Sequence, residues 1–224
     1  MVGGAGNHPA LGLVTVAPGE SMLRAAWRSV DLPAGAPGAA LFVGTDPGAL
    51  LAATPIPLSS GDRWATVLGL APDTTYFATL GFDDGMGGWN RSGPTLRART
   101  GRPILVSSDA DPSVADGLTA ATAWATIEDG IAAAAQAGGG NVWASGIFLA
   151  AEITVPADVD LYGGFDATFD LATRDPEANP ATIQGTSTSS VITLARADLS
   201  VAVLDGFRVD GSGISDACFE VDQR

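Results

Sequence analysis

The sequence predicts an all-β chain in two parts. A β-sandwich covers residues 10–100 behind a flexible tail of residues 1–9, and residues 101–224 form an incomplete coil of parallel strands that a short helix precedes. Three observations predict this. The chain holds 29 Gly, 14 Pro and 20 Asp against 5 Glu, the balance of a turn-rich protein, since Asp serves turns and Glu serves helices. Short apolar alternations separated by turn residues fill the first half. In the second half, short β-branched segments return in cycles between glycines. With 224 residues, the chain is long enough for about two domains, each with its own core.

The strands of the first half can be justified in order. In SMLRAAWRSV, Leu23, Ala25 and Trp27 alternate with Arg24, Ala26 and Arg28, which places Trp27 in a core and the arginines outside. AALFVGTDPGAL sets Leu41 and Val43 on one face and stops at Asp46-Pro47-Gly48, where Pro presets φ and Gly tolerates a positive one. RWATVLGL and TTYFATLGF are two further strands. The segment between them, Leu70-Ala71-Pro72-Asp73-Thr74-Thr75-Tyr76, is the most specific local signal. Its L-x-P-x-T-x-Y spacing resembles the corner before the sixth strand of fibronectin type III domains, where the Tyr hydroxyl bonds to nearby backbone. Trp27 falls where that family keeps its second-strand tryptophan, and Ser92–Thr100 where it keeps its last strand. The resemblance implies a spacer or binding module without catalysis, and the family's integrin-binding Arg-Gly-Asp tripeptide is absent. Trp89, in GMGGWNRSG, either stacks on a sugar or partner or anchors its own loop. Asn90-Arg91-Ser92 fits a glycosylation sequon.

In the second half, Ile104–Ser107 reads as a strand and DADPSVADGLTAATAW as a polar loop. A helix follows. Thr126 with Asp129 makes a capping-box pattern, Ile127, Ile131, Ala134 and Ala135 share a face, and Gly138-Gly139-Gly140 ends it. Strands then recur: Asn141–Ala144, Ile153–Val155 and Val159–Tyr162 form one cycle, and 181–184, 191–194 and 201–209 the next. Such cycles wind into a coil in which each strand pairs in parallel with its counterpart one turn on. Gly163-Gly164 and Gly206 are its corners, Phe165 and Phe207 pack inward just after them, and residues 166–179 form an outward loop that leaves the wound core untouched. The ordered set Asp116-Gly117-Leu118-Thr119, Trp124-Ala125-Thr126-Ile127, Tyr162-Gly163-Gly164-Phe165, Arg174-Asp175, Asn179-Pro180-Ala181-Thr182-Ile183 with Gly185, and Leu204-Asp205-Gly206-Phe207 resembles right-handed parallel β-helix proteins of the pectate-lyase-like fold. Within these it is similar to the non-enzymatic bacterial surface type. The resemblance implies that the early helix caps the coil. With about two turns and no closing helix after them, the coil is expected to continue past Arg224 and, as it stands, to self-associate through its open end.

Charge is unevenly spread: residues 1–100 carry 6 Arg against 7 acids, and residues 101–224 carry 5 Arg against 18, giving −1 and −13. A polyanionic half repels phosphate backbones and anionic lipid, so nucleic acid is not an expected partner. There is no lysine, and hence no Schiff-base chemistry. The lone histidine, His8, lies in the Gly-rich tail without rigid support for a triad, and the lone Cys218 reads as a small buried hydrophobe. No apolar run reaches a membrane span, and the opening MVGGAGNHPALGLVTV lacks the regions of a secretory signal, so either the protein is not secreted or Met1 is not its natural start.

Asp158 and Asp160 share a strand face, as Asp205 and Asp210 nearly do, and paired acids can carry out glycoside hydrolysis, but without a sugar-binding aromatic cluster on that face the plainer reading is solvated turn carboxylates. Asp109, Asp111 and Asp116 have loosely calcium-like spacing, and Asx turns explain them equally well. No catalytic, cofactor or metal residue is assigned. The reading is a non-catalytic extracellular or cell-surface structural or adhesion protein, with surface glycans or other surface proteins as partners. Two alternatives stand beside it: a polysaccharide lyase or glycoside hydrolase with active coils beyond Arg224, and a carbohydrate-binding accessory module centred on Trp89.

Overall fold

A computed structural model describes residues 13–27, 38–59, 61–150, 152–186, 192–197, 200–210 and 219–221. His8, Val191 and Cys218 lie outside these. The chain divides into two compact units, Met1–Thr100 and Gly101–Arg224.

The first unit is built from two antiparallel sheets. β1 (Leu13–Pro18), β2 (Met22–Trp27) and β5 (Trp64–Leu68) form one, in the order β1-β2-β5. β3 (Ala39–Gly44), β4 (Ile56–Leu58), β6 (Thr75–Asp83) and β7 (Trp89–Arg99) form the other, in the order β4-β3-β6-β7. Leu23, Ala25 and Trp27 alternate inward along β2 and meet Leu41, Leu80, Phe82 and Ala98 of the opposite sheet in one buried cluster, the arrangement expected when two half-apolar sheets face each other. The Trp27 indole N–H is satisfied by the Asp62 carbonyl at 2.9 Å. β3 departs from simple alternation. Ala40 and Phe42 are also buried, because the 3-10 turn Leu50–Ala52 folds over the outer face of that sheet. The chain reverses after β3 as its residues dictate, with the Gly48 N–H donating to the Asp46 carboxylate at 2.8 Å. Before β6, the Ala71 N–H donates to the Tyr76 hydroxyl at 3.1 Å, and Thr100 Oγ1 donates to the Ala71 carbonyl at 2.6 Å. The corner is thus tied to the last residue of the unit.

The second unit opens with β8 (Ile104–Ser107) and the helix α1 (Ile127–Gln136). Thr126 caps α1. Its hydroxyl accepts the Asp129 N–H at 3.1 Å and donates to the Asp129 carboxylate at 2.6 Å, so the acid returns to the capping hydroxyl. Ile127, Ile131 and Ala134 enter the core as the spacing predicts. Ala135 does not: it is exposed, and Gly130 is buried instead, because the helix lies so close to Val106 that a Cβ at Gly130 would collide with it.

Eleven described strands follow, beginning with β9 (Gly140–Ser145), β10 (Ile147–Ala150), β11 (Ile153–Val155), β12 (Val159–Tyr162), β13 (Ala181–Gly185), β14 (Ile192–Leu194), the two-residue pair β15 (Arg196–Ala197) and β16 (Ser200–Val201), and β17 (Leu204–Asp205). β18 (Phe207–Asp210) and β19 (Phe219–Val221) complete the described chain. Apart from the antiparallel pair β15–β16, they form three parallel ladders, β17-β12-β9-β8, β10-β13-β18 and β11-β14-β19. The chain visits the ladders in that order and then returns: β9, β10, β11, then β12, β13, β14, then β17, β18, β19. Val142, Phe148, Ile153, Leu161, Ile183, Ile192 and Leu194 fill the space within, in one cluster with α1.

This grouping corrects the cycles read from sequence. β10 was not expected, because Ile147–Ala150 continues the apolar run of β9 and only Gly146, at φ +110°, separates the two. Val159–Tyr162 is therefore the counterpart of Asn141–Ala144, pairing Leu161 with Val142, and opens a second pass. The expected strand 201–209 is also broken, because Gly206 at φ +76° turns the chain between β17 and β18. Gly146, Gly163-Gly164 and Gly206 thus mark one corner on three successive passes, always between the first ladder and the second.

Candidate functional site

The middle pass differs from the others at this corner, where residues 163–180 intervene between β12 and β13. The segment does not project outward as expected. It folds back onto the outer face of the β17-β12-β9-β8 sheet and buries Phe165, Phe169, Leu171 and Arg174 there. Strand parity explains the second layer. Val142 and Ala144 of β9 face the core, so Trp143 between them faces out, and its register partner is Tyr162. Phe165 stacks on Trp143 at 4.5 Å between ring centroids and a 16° tilt, so it is buried on the outer face rather than inward. Phe207 does pack against the inner cluster.

Arg174 holds this layer together. Its Nε donates to the Gly163 carbonyl at 2.7 Å, its Nη2 lies 3.4 Å from the Asp205 carboxylate, and its guanidinium sits 5.8 Å from the Tyr162 ring centre and 5.5 Å from that of Phe165. Beneath it, a Cβ on Gly163 would strike the Gly206 carbonyl, and one on Gly206 would meet the Gly163 oxygen at 2.6 Å and Arg174 Nη2 at 2.8 Å. The two glycines are therefore required for adjacent passes to touch and for the cation to close over them. Sequence reasoning noted Arg174 only within a motif. The available signal was one arginine in a long acidic stretch with no other cation between Arg102 and Arg196.

The sequence-predicted acids are not brought together. Asp158 is exposed ahead of β12, whereas Asp160 is buried on β12 and accepts the Val203 N–H at 2.9 Å, supplying a ladder acceptor where the chain enters the third pass. Asp205 faces Arg174 on one ladder, and Asp210 pairs with Arg208 at 3.1 Å on another, beyond the Gly206 turn. Asp160 is thus engaged by the ladder backbone, and Asp205 and Asp210 stand on different ladders, each beside an arginine of its own.

The calcium-like trio is likewise dispersed. Asp111 accepts the Ser113 N–H and hydroxyl, which hold its carboxyl below the ordinary value. Asp116 accepts the Thr122 hydroxyl and the Leu118 N–H, with the same effect. Asp109 is exposed, and its own N–H donates to the Ser107 hydroxyl at 3.3 Å. Among the described residues no three His, Cys, Asp or Glu side chains form a group able to hold a metal ion, and no helix is long and apolar enough to cross a membrane. Trp89 is half-buried at the start of β7, its ring edge-on to Phe42 at 5.1 Å. It anchors its strand over the Ala40–Phe42–Leu50 cluster.

No family model and no curated protein matches the chain. Among solved structures, it is similar to the FN1-FN3 domains of chicken CNTN1, at 19% identity over 39% of this chain with a TM-score of 0.33, and it covers only 30% of that chain. It is similar to the fn3 domain of human contactin 1, at 22% identity over 42% of this chain and 78% of that one, TM-score 0.32. It is also similar to the FN5 domain of Drosophila Lar, at 20% identity over 40% of this chain and 92% of that one, TM-score 0.29. At this level of likeness, the two-unit β architecture rests on the chain's own ladders and hydrogen bonds.

Proposed function

We propose that the chain is a non-catalytic structural or adhesion protein of the extracellular or cell-surface kind: a fibronectin type III-like sandwich over residues 10–100, followed over residues 101–224 by the coils of a right-handed parallel β-helix that α1 caps. The Tyr76 corner supports the first assignment, and the fixed order in which the chain visits its three parallel ladders supports the second. The observation that carries the functional reading is the use made of the side chains chemistry would need. Asp160 completes a ladder, Asp205 pairs with Arg174, Asp111 and Asp116 close their own turns, and Trp89 packs on Phe42. A formal net charge of −13 over residues 101–224 also disfavours an anionic polysaccharide. Other surface proteins and neutral surface glycans are the partners this reading admits.

The test is direct. The protein is incubated with pectate and with alginate, with and without calcium, and unsaturated product is followed by ultraviolet absorbance. No turnover above the protein-free control is expected. Turnover would overturn the non-catalytic reading in favour of a lyase.

A further inference from the structure

The strand β5, Trp64-Ala65-Thr66-Val67-Leu68, is the edge of its sheet and pairs with β2 alone among the described strands. It carries none of the usual protection of an edge: no charge, no proline and no bulge in its pairing. Trp64 and Leu68 are 54% and 69% exposed and stand on the same outer face, with the Arg24 guanidinium 4.4 Å from the Trp64 ring centre on its inner side. The Trp27 N–H donates to the Arg63 carbonyl, so Arg63, Ala65 and Val67 are the residues bonded to β2. By antiparallel alternation, the backbone groups of Trp64, Thr66 and Leu68 point away from the sheet.

We propose that β5 is a self-association edge, pairing antiparallel with β5 of a second copy about a two-fold axis through Thr66. In that register Thr66 faces Thr66, and Trp64 faces Leu68 in both directions. The same register bonds every outward N–H and C=O of the three residues and covers all four large apolar side chains. A self-complementary strand is what an isologous contact requires. Two five-residue strands cover less than the ~1,000 Å² of a stable interface, which makes this a weak, reversible dimer. The other exposed apolar edge, β10, with Ile147 and Leu149 at 58% and 72% exposure, is less suited, because its Ile147 N–H already donates to Ser108 Oγ at 3.2 Å.

Sedimentation equilibrium of the 224-residue chain up to about millimolar concentration should show a monomer–dimer equilibrium. Leu68→Lys and Thr66→Pro should weaken it by about tenfold or more, and Ile147→Lys should leave it unchanged. If Thr66→Pro loses its fold by circular dichroism, Leu68→Lys, which alters only an exposed side chain, decides. In a Cys218→Ser background, Thr66→Cys should oxidise to a disulfide-linked dimer much faster than the exposed control Met86→Cys, since facing hydrogen-bonded residues lie about 5.5 Å apart at Cα. A monomer at all concentrations, or association that survives Leu68→Lys, or one abolished by Ile147→Lys alone, overturns the proposal.

Discussion

Arg174 is a buried cation in an acidic half, and its value lies in what its removal would leave behind. Arg174→Ala strips the donor from the Gly163 carbonyl and leaves the Asp205 carboxylate facing a gap. Breaking a largely buried pair from one side costs about 2–4 kcal/mol, reduced here because Asp205 keeps some contact with water. Arg208, whose pair with Asp210 lies in solvent, should lose no more than about 0.5 kcal/mol on change to Ala. Urea unfolding of the two variants measures the contrast, and equal effects would show that Arg174 does not clamp the layer. A second expectation concerns acid. The carboxyls of Asp116, Asp166, Asp111 and Asp84 are held below the ordinary 3.8 by hydroxyl and backbone N–H donors from Thr122 and Leu118, from Thr168, from Ser113, and from Met86 and Gly88, respectively. A carboxyl lowered on folding contributes stability that is fully present above its unfolded value and is lost as pH falls through its folded value. The Asp116→Asn variant should therefore melt below the parent at neutral pH, and the two curves should converge in acid. A gap constant with pH would contradict this.

The elements show how close packing overrides local preference. Glycine inside a helix ordinarily costs about 1 kcal/mol relative to alanine, so Gly130→Ala in α1 would be expected to stabilise the helix. Here the added methyl would collide with Val106 and come within 3.3 Å of Val142. Gly130→Ala should therefore destabilise the second unit by about 1–3 kcal/mol, whereas Gln136→Ala, at the exposed end of the same helix, should be near neutral. Chemical unfolding of both variants checks it. The same closeness explains which elements were legible. α1 announces itself through Thr126, its apolar spacing and three closing glycines, all local signals. The split of β9 from β10 was hidden, because Ser145-Gly146 between two apolar stretches is the only mark of the corner, and its meaning depends on which strand lies alongside. The fold-back of residues 163–180 was hidden for the same reason: Phe165 reads as an inward residue, and Phe169 and Leu171 as loop residues, until Trp143 and Tyr162 provide an outer face to cover.

For the whole molecule, the division into Met1–Thr100 and Gly101–Arg224 predicts where the chain opens first. Thr100 is tied to the first unit through the Ala71 and Thr74 carbonyls, and Ile104 is already paired in the second. Limited proteolysis should cut between Thr100 and Pro103, and each product should melt in a transition of its own. A single transition with that linker protected would mean that the units fold as one.

The sequence alone determined that the chain is β-rich, where its sandwich turns, where its helix begins and ends, and that its acids cluster in the second half. Each of these depends on a few neighbouring residues and on the periods of helix and strand, which any stretch of chain carries with it. Tertiary structure alone decided which three strands share a pass, that Gly163 lies under Gly206, that Arg174 closes over both, and that Asp205 and Asp210 stand on different ladders. Those facts depend on register between segments far apart in the chain. A single unmarked corner shifts the register of everything after it, so no local signal can state it.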